Sequence, residues 1–291
     1  MNSRIITLVI CALSCIEALA QSQTNYLLTK EQGHLFFEAT ICGETVSVMV
    51  ESGIPAFLIG QDYYESNKAN LEVEFTPAGK KRINLGGLES YEISYTANGV
   101  VMLNGSLYDG PIFVLKEFEG FRLPIQYLKS ADGEHSLVLM DVPQGKMSIL
   151  SQYPTVASGN RYKLSFDKDY GLPVVTANVE INGMSLKEDL VLDFGNPMLL
   201  FIMKQNKSAK RLVKKGHMQL HDAYGPNGEL IAQSFYSDDT KICGKPFGEC
   251  GIPVTEKMPT IKQFGLIGIQ FFDTPVLFDF DKMELVSIHE L

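Results

Sequence analysis

The sequence predicts a mainly β protein that consists of two internally repeated lobes. Short runs of apolar and β-branched residues recur along the 291 residues, and turns rich in glycine separate them. Few stretches show the 3.6-residue periodicity of an amphipathic helix, so strands dominate the prediction. An apolar strand that ends in a carboxylate and a glycine turn occurs twice, at Glu51-Ser52-Gly53 and at Asp193-Phe194-Gly195. The second copy indicates that the chain repeats one structural unit.

The composition is that of a globular protein and argues against several functional classes. Hydrophobic residues make up 45% of the chain and charged residues 20%, which argues against disorder. The formal net charge is −9, without a long acidic block, which argues against nucleic acid as a partner. We therefore expect a protein with a sizeable core whose natural ligand is neither DNA nor RNA.

Residues 1–20 carry the pattern of a signal peptide. Arg4 provides a short positive start, residues 5–13 form an apolar core, and Ala18-Leu19-Ala20 fits the small-x-small cleavage rule. The apolar run is too short for a membrane span, so no integral membrane segment is expected. The prediction is an exported protein of the periplasm or the extracellular space. Lipoprotein cleavage before Cys15 is an alternative, although the preceding residues fit that pattern poorly.

The first predicted lobe covers residues 21–152 and begins with a polar lead-in that lacks regular structure. Residues 34–41 and 45–50 then form a strand pair that leads to Glu51. Three further dipeptides favour tight hairpin turns, Asn98-Gly99, Asn104-Gly105 and Asp109-Gly110.

The second predicted lobe covers residues 153–291 and repeats this plan. Residues 171–181 form a strand, Asn182-Gly183 forms its turn, and residues 184–192 return to Asp193. The joint between the lobes is predicted within residues 153–160, where proline, serine and glycine are typical of a linker.

The ends of the two lobes also correspond. Residues 123–128 align with residues 267–272, and residues 136–141 align with residues 276–281. These matches follow the two carboxylate motifs in the same order within each lobe. Four features that recur in one order favour two equivalent lobes over an unrelated all-β chain.

The motifs resemble those of the aspartic peptidases, in both their pepsin-like and retropepsin-like forms. That family has an apolar strand, a carboxylate-hydroxyl-glycine turn and, later in each lobe, an apolar-apolar-glycine strand. Here the second lobe matches through Val191-Leu192-Asp193-Phe194-Gly195, Gly265–Phe272 with its central Gly268, and residues 276–280. The first lobe matches through Val50-Glu51-Ser52-Gly53 and a weaker terminal copy.

The resemblance implies a bilobal pepsin-like fold in which Glu51 and Asp193 form a catalytic dyad. Ser52, Gly53, Gly195 and Gly268 would support the two catalytic loops. Two carboxylates at such close range share one proton, and together they activate a water for peptide-bond hydrolysis. The family chemistry implies no metal or other cofactor, and a polypeptide substrate or peptide ligand. We also expect a monomer.

Two positions depart from the family pattern. Glu51 carries one methylene more than Asp, which displaces its carboxyl group by about a bond length, and a misplacement of about 1 Å can cost a hundredfold in rate. Phe194 replaces the hydroxyl residue that ties the loops together in the family, so that Ser52 can provide only a one-sided brace. Two readings remain open: an active peptidase, and a catalytically inactive protein that binds a peptide or partner protein in the cleft.

Three further predictions concern single residues. The family covers its cleft with a hairpin that presents a Tyr, and Tyr95 is the residue we assign to that role. Cys243 and Cys250 flank a Gly- and Pro-containing loop and are candidates for a disulfide, with buried free thiols as the alternative. His217 and His221 have the i,i+4 spacing of helical metal ligands, but the intervening alternation indicates a strand, so no metal site is predicted.

Overall fold

The computed structural model describes residues 23–85, 89–154, 159–224, 227, 230–256, 258 and 261–288. The predicted signal peptide, with Cys15, lies outside these residues, and so does half of the predicted joint, residues 155–158. The described chain is mainly β, as the sequence predicts. None of the helices that the described residues form is long and apolar enough to cross a membrane.

Strands dominate the first half of the chain, together with one short α-helix and one 3-10 helix at Ile125–Tyr127. Their bounds are β1 (Gln23–Leu27), β2 (Thr29–Glu31), β3 (His34–Ile41), β4 (Glu44–Glu51), β5 (Phe57–Gly60), α1 (Gln61–Asn67), β6 (Thr76–Pro77), β7 (Arg82–Leu85), β8 (Glu89–Met102), β9 (Ser106–Leu115), β10 (Phe121–Pro124), β11 (Leu128–Ser130), β12 (Leu137–Asp141) and β13 (Lys146–Leu150).

The second half has the same character, with one α-helix and one 3-10 helix at Ile269–Phe271. Its elements are β14 (Arg161–Phe166), β15 (Pro173–Ile181), β16 (Met184–Leu192), β17 (Leu200–Met203), α2 (Lys207–Lys214), β18 (His221–Tyr224), β19 (Leu230–Ile242), β20 (Lys245–Thr255), β21 (Gly265–Ile267), β22 (Val276–Asp279) and β23 (Glu284–Ser287).

The strands form two large sheets. The 10-stranded sheet has the order β2-β3-β4-β10-β5-β9-β8-β6, with β11 paired to β9 and β7 paired to β8. The 13-stranded sheet has the order β1-β13-β12-β22-β23-β14-β15-β16-β21-β17-β20-β19-β18. An additional pairing of β15 with β19 closes six of these strands, β15, β16, β21, β17, β20 and β19, into a barrel.

One sheet and one core connect the two halves of the chain. Strand β12 pairs with β22 in antiparallel fashion, so the larger sheet runs from the first half into the second. A single cluster of buried apolar side chains also contains residues of both halves, among them Phe37, Tyr108, Phe194 and Phe278. This continuity holds the ends of β4 and β16 in fixed positions relative to each other.

The two predicted strand pairs that lead to the carboxylates are confirmed. Strands β3 and β4 pair in antiparallel fashion and turn at Cys42 and Gly43, both of which have positive φ. Strands β15 and β16 do the same through Asn182 (φ 46°) and Gly183 (φ 78°). Asn and Gly tolerate this left-handed conformation, so Asn182-Gly183 indicates the second turn directly, whereas only Gly43 indicates the first.

The polar lead-in is a strand, contrary to the prediction. Strand β1 pairs with β13 along its whole length, from Gln23 opposite Leu150 to Leu27 opposite Lys146. Tyr26 of this segment is buried and packs edge-on against Phe37. Pairing with a distant strand therefore orders a segment whose own composition favours a loop.

The predicted turn at Asn104-Gly105 is confirmed, since it connects β8 to β9 and Gly105 has φ 89°. The hairpin turns predicted at Asn98-Gly99 and Asp109-Gly110 are wrong. Both dipeptides lie inside the long strands β8 and β9, where Gly99 is paired with Gly110. A Cβ atom on Gly110 would lie 2.7 Å from the Tyr127 ring, and one on Gly99 would lie 3.0 Å from Val73 Cγ1. These glycines serve the close approach of neighbouring side chains, and not a turn.

The predicted disulfide between Cys243 and Cys250 is absent, and both thiols are free. Cys243 lies at the turn between β19 and β20, whereas Cys250 is paired with Ser237 far along the hairpin. Five residues of extended strand separate Lys245 from Cys250, or roughly 16 Å. A disulfide requires Cα atoms within about 7 Å, so the strand geometry excludes the bridge.

Candidate active site

Each motif carboxylate follows a strand that is held on both sides. Glu51 ends β4, which lies between antiparallel β3 and parallel β10, with Pro124 opposite Glu51. Asp193 follows β16, which lies between antiparallel β15 and parallel β21, and its amide donates to Ile267 O at 2.8 Å. The backbone at both carboxylates is therefore fixed by hydrogen bonds within a sheet.

A single hydroxyl joins the two loops. Ser52 Oγ donates to Leu192 O at 2.8 Å, and the Phe194 amide donates to the same Oγ at 3.0 Å. Ser52 is fully buried, so these bonds form away from water. The Ser52 hydroxyl therefore connects the first loop to the backbone on both sides of Asp193.

The glycines of the two loops make room for the carboxylates of the opposite loops. A Cβ atom on Gly53 would lie 2.5 Å from Asp193 Cγ, and one on Gly195 would lie 2.6 Å from Glu51 Cδ. No real Cβ contact is that short, so only glycine fits at either position. The structure thus brings together Glu51, Gly53, Asp193 and Gly195, all of which the sequence singled out.

The surroundings of the pair oppose ionisation. Glu51 is only 3% exposed, and burial raises its pKa from 4.5 to about 8, with a further rise from the charge of Asp193. Burial also raises the pKa of Asp193 from 3.8 to about 6, against the hydrogen bond that its Oδ1 accepts from the Gly195 amide at 2.9 Å. Between these values the pair holds one proton, which is the state that general acid–base work by two carboxyls requires.

Arg122 is a residue of the site that the sequence reasoning missed. It lies on β10, and its Nη1 is 3.6 Å from Glu51 Oε1. Its Cζ lies 5.7 Å from the centre of the Phe118 ring. The alignment of residues 123–128 with 267–272 places Arg122 opposite apolar Leu266, and this difference between the two copies was the available signal.

Gln126 contacts the backbone of the first loop, and Gly268 packs against the second. Gln126 Nε2 donates to Ile54 O at 3.1 Å and to Ser52 O at 3.4 Å, which holds the first loop. Gly268 donates to Leu199 O at 3.0 Å, and a Cβ atom on it would lie 2.8 Å from Asn196 Cγ. The predicted role of Gly268 in packing against the second loop agrees with these contacts.

Tyr91 and the predicted cleft residue Tyr95 pack against different aromatic rings. The Tyr95 ring packs on Tyr64 of α1 at 4.9 Å between centroids. The Tyr91 ring packs on Phe118 at 5.4 Å between centroids, and the Arg122 guanidinium lies over the Phe118 ring. A register shift between Ile93 and Tyr95 changes the alternation of side chains along β8, which sequence spacing does not reveal.

No protein-family model matches this chain, and no curated protein matches it significantly. Its function has to be inferred from the geometry and chemistry of the site.

Removal of the Ser52 hydroxyl should destabilise the protein. In the Ser52→Ala variant the Phe194 amide and the Leu192 carbonyl lose their partner in a buried place, so we expect a loss of about 1–3 kcal/mol in the free energy of unfolding. Urea denaturation measures this loss. Ser47→Ala, on an exposed position of the same strand, is the control and should stay within about 0.5 kcal/mol of wild type. Equal stability of the two variants would contradict the bridging role.

The buried carboxyls should make stability fall as the pH rises. Both pKa values lie above those of the unfolded chain, so the folded protein binds more protons between about pH 4 and pH 8. The free energy of unfolding therefore decreases across this interval. Each tenfold difference in proton affinity is worth about 1.4 kcal/mol.

The Glu51→Gln variant lacks one of the two titrating groups. Over the same pH interval its free energy of unfolding should therefore fall by about 1–3 kcal/mol less than that of the wild type. Thermal or urea unfolding at pH 4.5, 6 and 8 measures the difference. Glu38→Gln changes an exposed carboxyl on neighbouring β3 and serves as the matched control. Parallel curves for wild type and Glu51→Gln would show that Glu51 titrates normally.

Proposed function

We propose that this protein is a two-lobed, pepsin-like member of the aspartic peptidase class that hydrolyses peptide bonds in exported or external polypeptides. The observation that carries the proposal is the paired arrangement of Glu51 and Asp193. The two carboxylates come from loops about half a chain apart, and each lies against the glycine of the other loop. The pKa of each carboxyl is raised. Such a pair can hold a single shared proton near neutral pH.

The strand order of the two halves supports the two-lobe part of the proposal, with lobes at residues 21–152 and 153–291. The series β3-β4-β10-β5-β9-β8 matches the series β15-β16-β21-β17-β20-β19. In both series the successive pairings are antiparallel, parallel, antiparallel, parallel and antiparallel. Each series places a motif carboxylate at the end of its second strand.

In the proposed reaction the ionised carboxyl of the pair takes a proton from a water molecule as the water attacks the scissile carbonyl. The protonated carboxyl donates to the carbonyl oxygen, so the charge of the pair is conserved. The backbone amides of Gly195 and Asn196 stabilise the ionised form of Asp193 and so lower its pKa, against the effect of burial. The charge of Arg122 lowers the pKa of both carboxyls. The substrate is a polypeptide in extended conformation.

A second candidate function is peptide binding without turnover. The observation that favours it is the ion pair between Arg122 and Glu51, which competes with a water for the Glu51 carboxylate. The additional methylene of Glu51 also moves that carboxylate away from the position an Asp would give it.

Incubation of the purified protein with a peptide library between pH 3 and pH 9, followed by mass spectrometry, tests the proposal. We expect cleavage with a bell-shaped pH profile that is highest between about pH 6 and pH 8, where the pair holds one proton. Absence of cleavage at every pH, together with retention of peptides by the protein, would favour the second candidate. Absence of both would refute the two functions together.

A further inference from the structure

We propose that Arg122 makes the cleft selective for polypeptides that present a carboxylate beside the Glu51–Asp193 pair. The carboxylate is either an acidic side chain or the free C-terminus of a peptide. This inference rests on the proposed function, because it takes the site between the two loops to bind a polypeptide, with or without turnover.

The guanidinium of Arg122 has hydrogen-bonding capacity that the protein does not use. Its distance of 3.6 Å to Glu51 Oε1 is an ion-pair distance and exceeds that of a good hydrogen bond. Within the described ranges of the chain, no oxygen accepts a hydrogen bond from this guanidinium, which carries five N–H donors. Donors that lie at a site and lack acceptors are available to a ligand.

The Arg122 side chain is also accessible. It is 26% exposed, whereas the Glu51 side chain that it contacts is 4% exposed. The ring of Phe118 lies against the guanidinium, and Tyr91 packs edge-on against Phe118 at an interplanar angle of 84°. The Phe118 ring restricts the orientation of the guanidinium, while part of the side chain stays exposed to solvent.

The geometry of the guanidinium favours a carboxylate as the ligand group. A planar guanidinium forms two parallel N–H···O bonds to a carboxylate, which a neutral carbonyl cannot match.

The equivalent position in the second half strengthens the assignment. Leu266 occupies the place of Arg122 on β21 and packs in an apolar cluster with Val191 and Met203. The fold therefore needs only an apolar residue at this place in a strand. An arginine in the first half, next to the carboxyl pair, makes the two sides of the site chemically different.

Affinity selection from a randomised decapeptide library tests the inference. The bait is the Asp193→Asn protein, in which turnover is blocked, and the library is used in two forms, with amidated and with free C-termini. We expect at least tenfold enrichment of Asp or Glu at one peptide position from the amidated library, or of free over amidated C-termini. The first result identifies a side-chain carboxylate as the ligand group and the second a terminal one.

The same selection with Arg122→Gln added should lose this enrichment, and Arg122→Lys should retain part of it because the charge remains. Circular dichroism and thermal unfolding confirm that each bait is folded. If the Asp193→Asn bait with Arg122 unchanged retains peptides but shows no preference for acidic residues or free C-termini, the inference is overturned and the proposed function stands. Enrichment that persists when Arg122→Gln is added would also overturn the inference. If the Asp193→Asn bait with Arg122 unchanged retains no peptide at all, the proposed function is overturned as well.

Discussion

The Asp193→Asn variant is expected to cleave peptides at least a thousandfold more slowly than the wild-type protein while it folds and binds peptide normally. The amide can still accept the hydrogen bond from the Gly195 amide that Asp193 Oδ1 accepts at 2.9 Å. It cannot take or give a proton, and general acid–base catalysis contributes about 10²–10⁴ in rate per group. Initial rates on a peptide selected from the cleavage library measure the effect.

The control for this prediction is Asp189→Asn on the same strand. Asp189 is exposed and accepts a hydrogen bond from Thr176 Oγ1, which an asparagine can also accept. It should retain the wild-type rate within about twofold, because surface substitutions of this kind change free energies by less than about 0.5 kcal/mol. If Asp193→Asn kept more than a tenth of the wild-type activity, the carboxyl pair would not be the catalytic group.

The Phe194→Thr variant, which introduces a hydroxyl at the position where the aspartic peptidase pattern has one, should damage the fold and leave the brace one-sided. Phe194 is fully buried, with its ring stacked on Phe272 at 4.7 Å and tilted against Phe278 at 5.6 Å. Loss of a buried aromatic ring leaves a cavity and costs about 3–5 kcal/mol. The buried hydroxyl adds a polar group to an apolar cluster and increases the loss.

Urea denaturation measures this effect, with Phe166→Ala as the control. Phe166 is 42% exposed, so its removal should cost well under half as much as that of Phe194. A Phe194→Thr protein within about 1 kcal/mol of wild type would show that the second loop can repack around a small residue. In that event Glu51→Asp combined with Phe194→Thr becomes a reasonable route to higher activity.

Several features of the site could be predicted because their signals are local. Apolar strands that end in Glu51 and Asp193, the turn at Asn182-Gly183 and the hydroxyl of Ser52 all follow from short sequence patterns. The internal repeat then pointed to an association of the two carboxylates. The hydroxyl brace joins atoms 140 residues apart, and it was predictable only because the repeat relates the two loops.

Other features depended on contacts that no short pattern encodes. The register shift in β8 turns Tyr91, and not Tyr95, toward Phe118 and Arg122. The sequence pattern shows Phe194 only as the replacement of a hydroxyl residue, whereas in the structure its ring completes an aromatic cluster in the core.

The sequence by itself determined the mainly β character of this protein, its paired carboxylate turns and the hairpins that lead to them. Local backbone preference and side-chain alternation are sufficient to specify such elements. Only the tertiary structure decided that Gly99 and Gly110 lie inside strands, that Cys243 and Cys250 stay apart, and that Arg122 reaches Glu51. Each of these outcomes depends on packing between segments distant in the chain, where the energy of burial and pairing outweighs local preference.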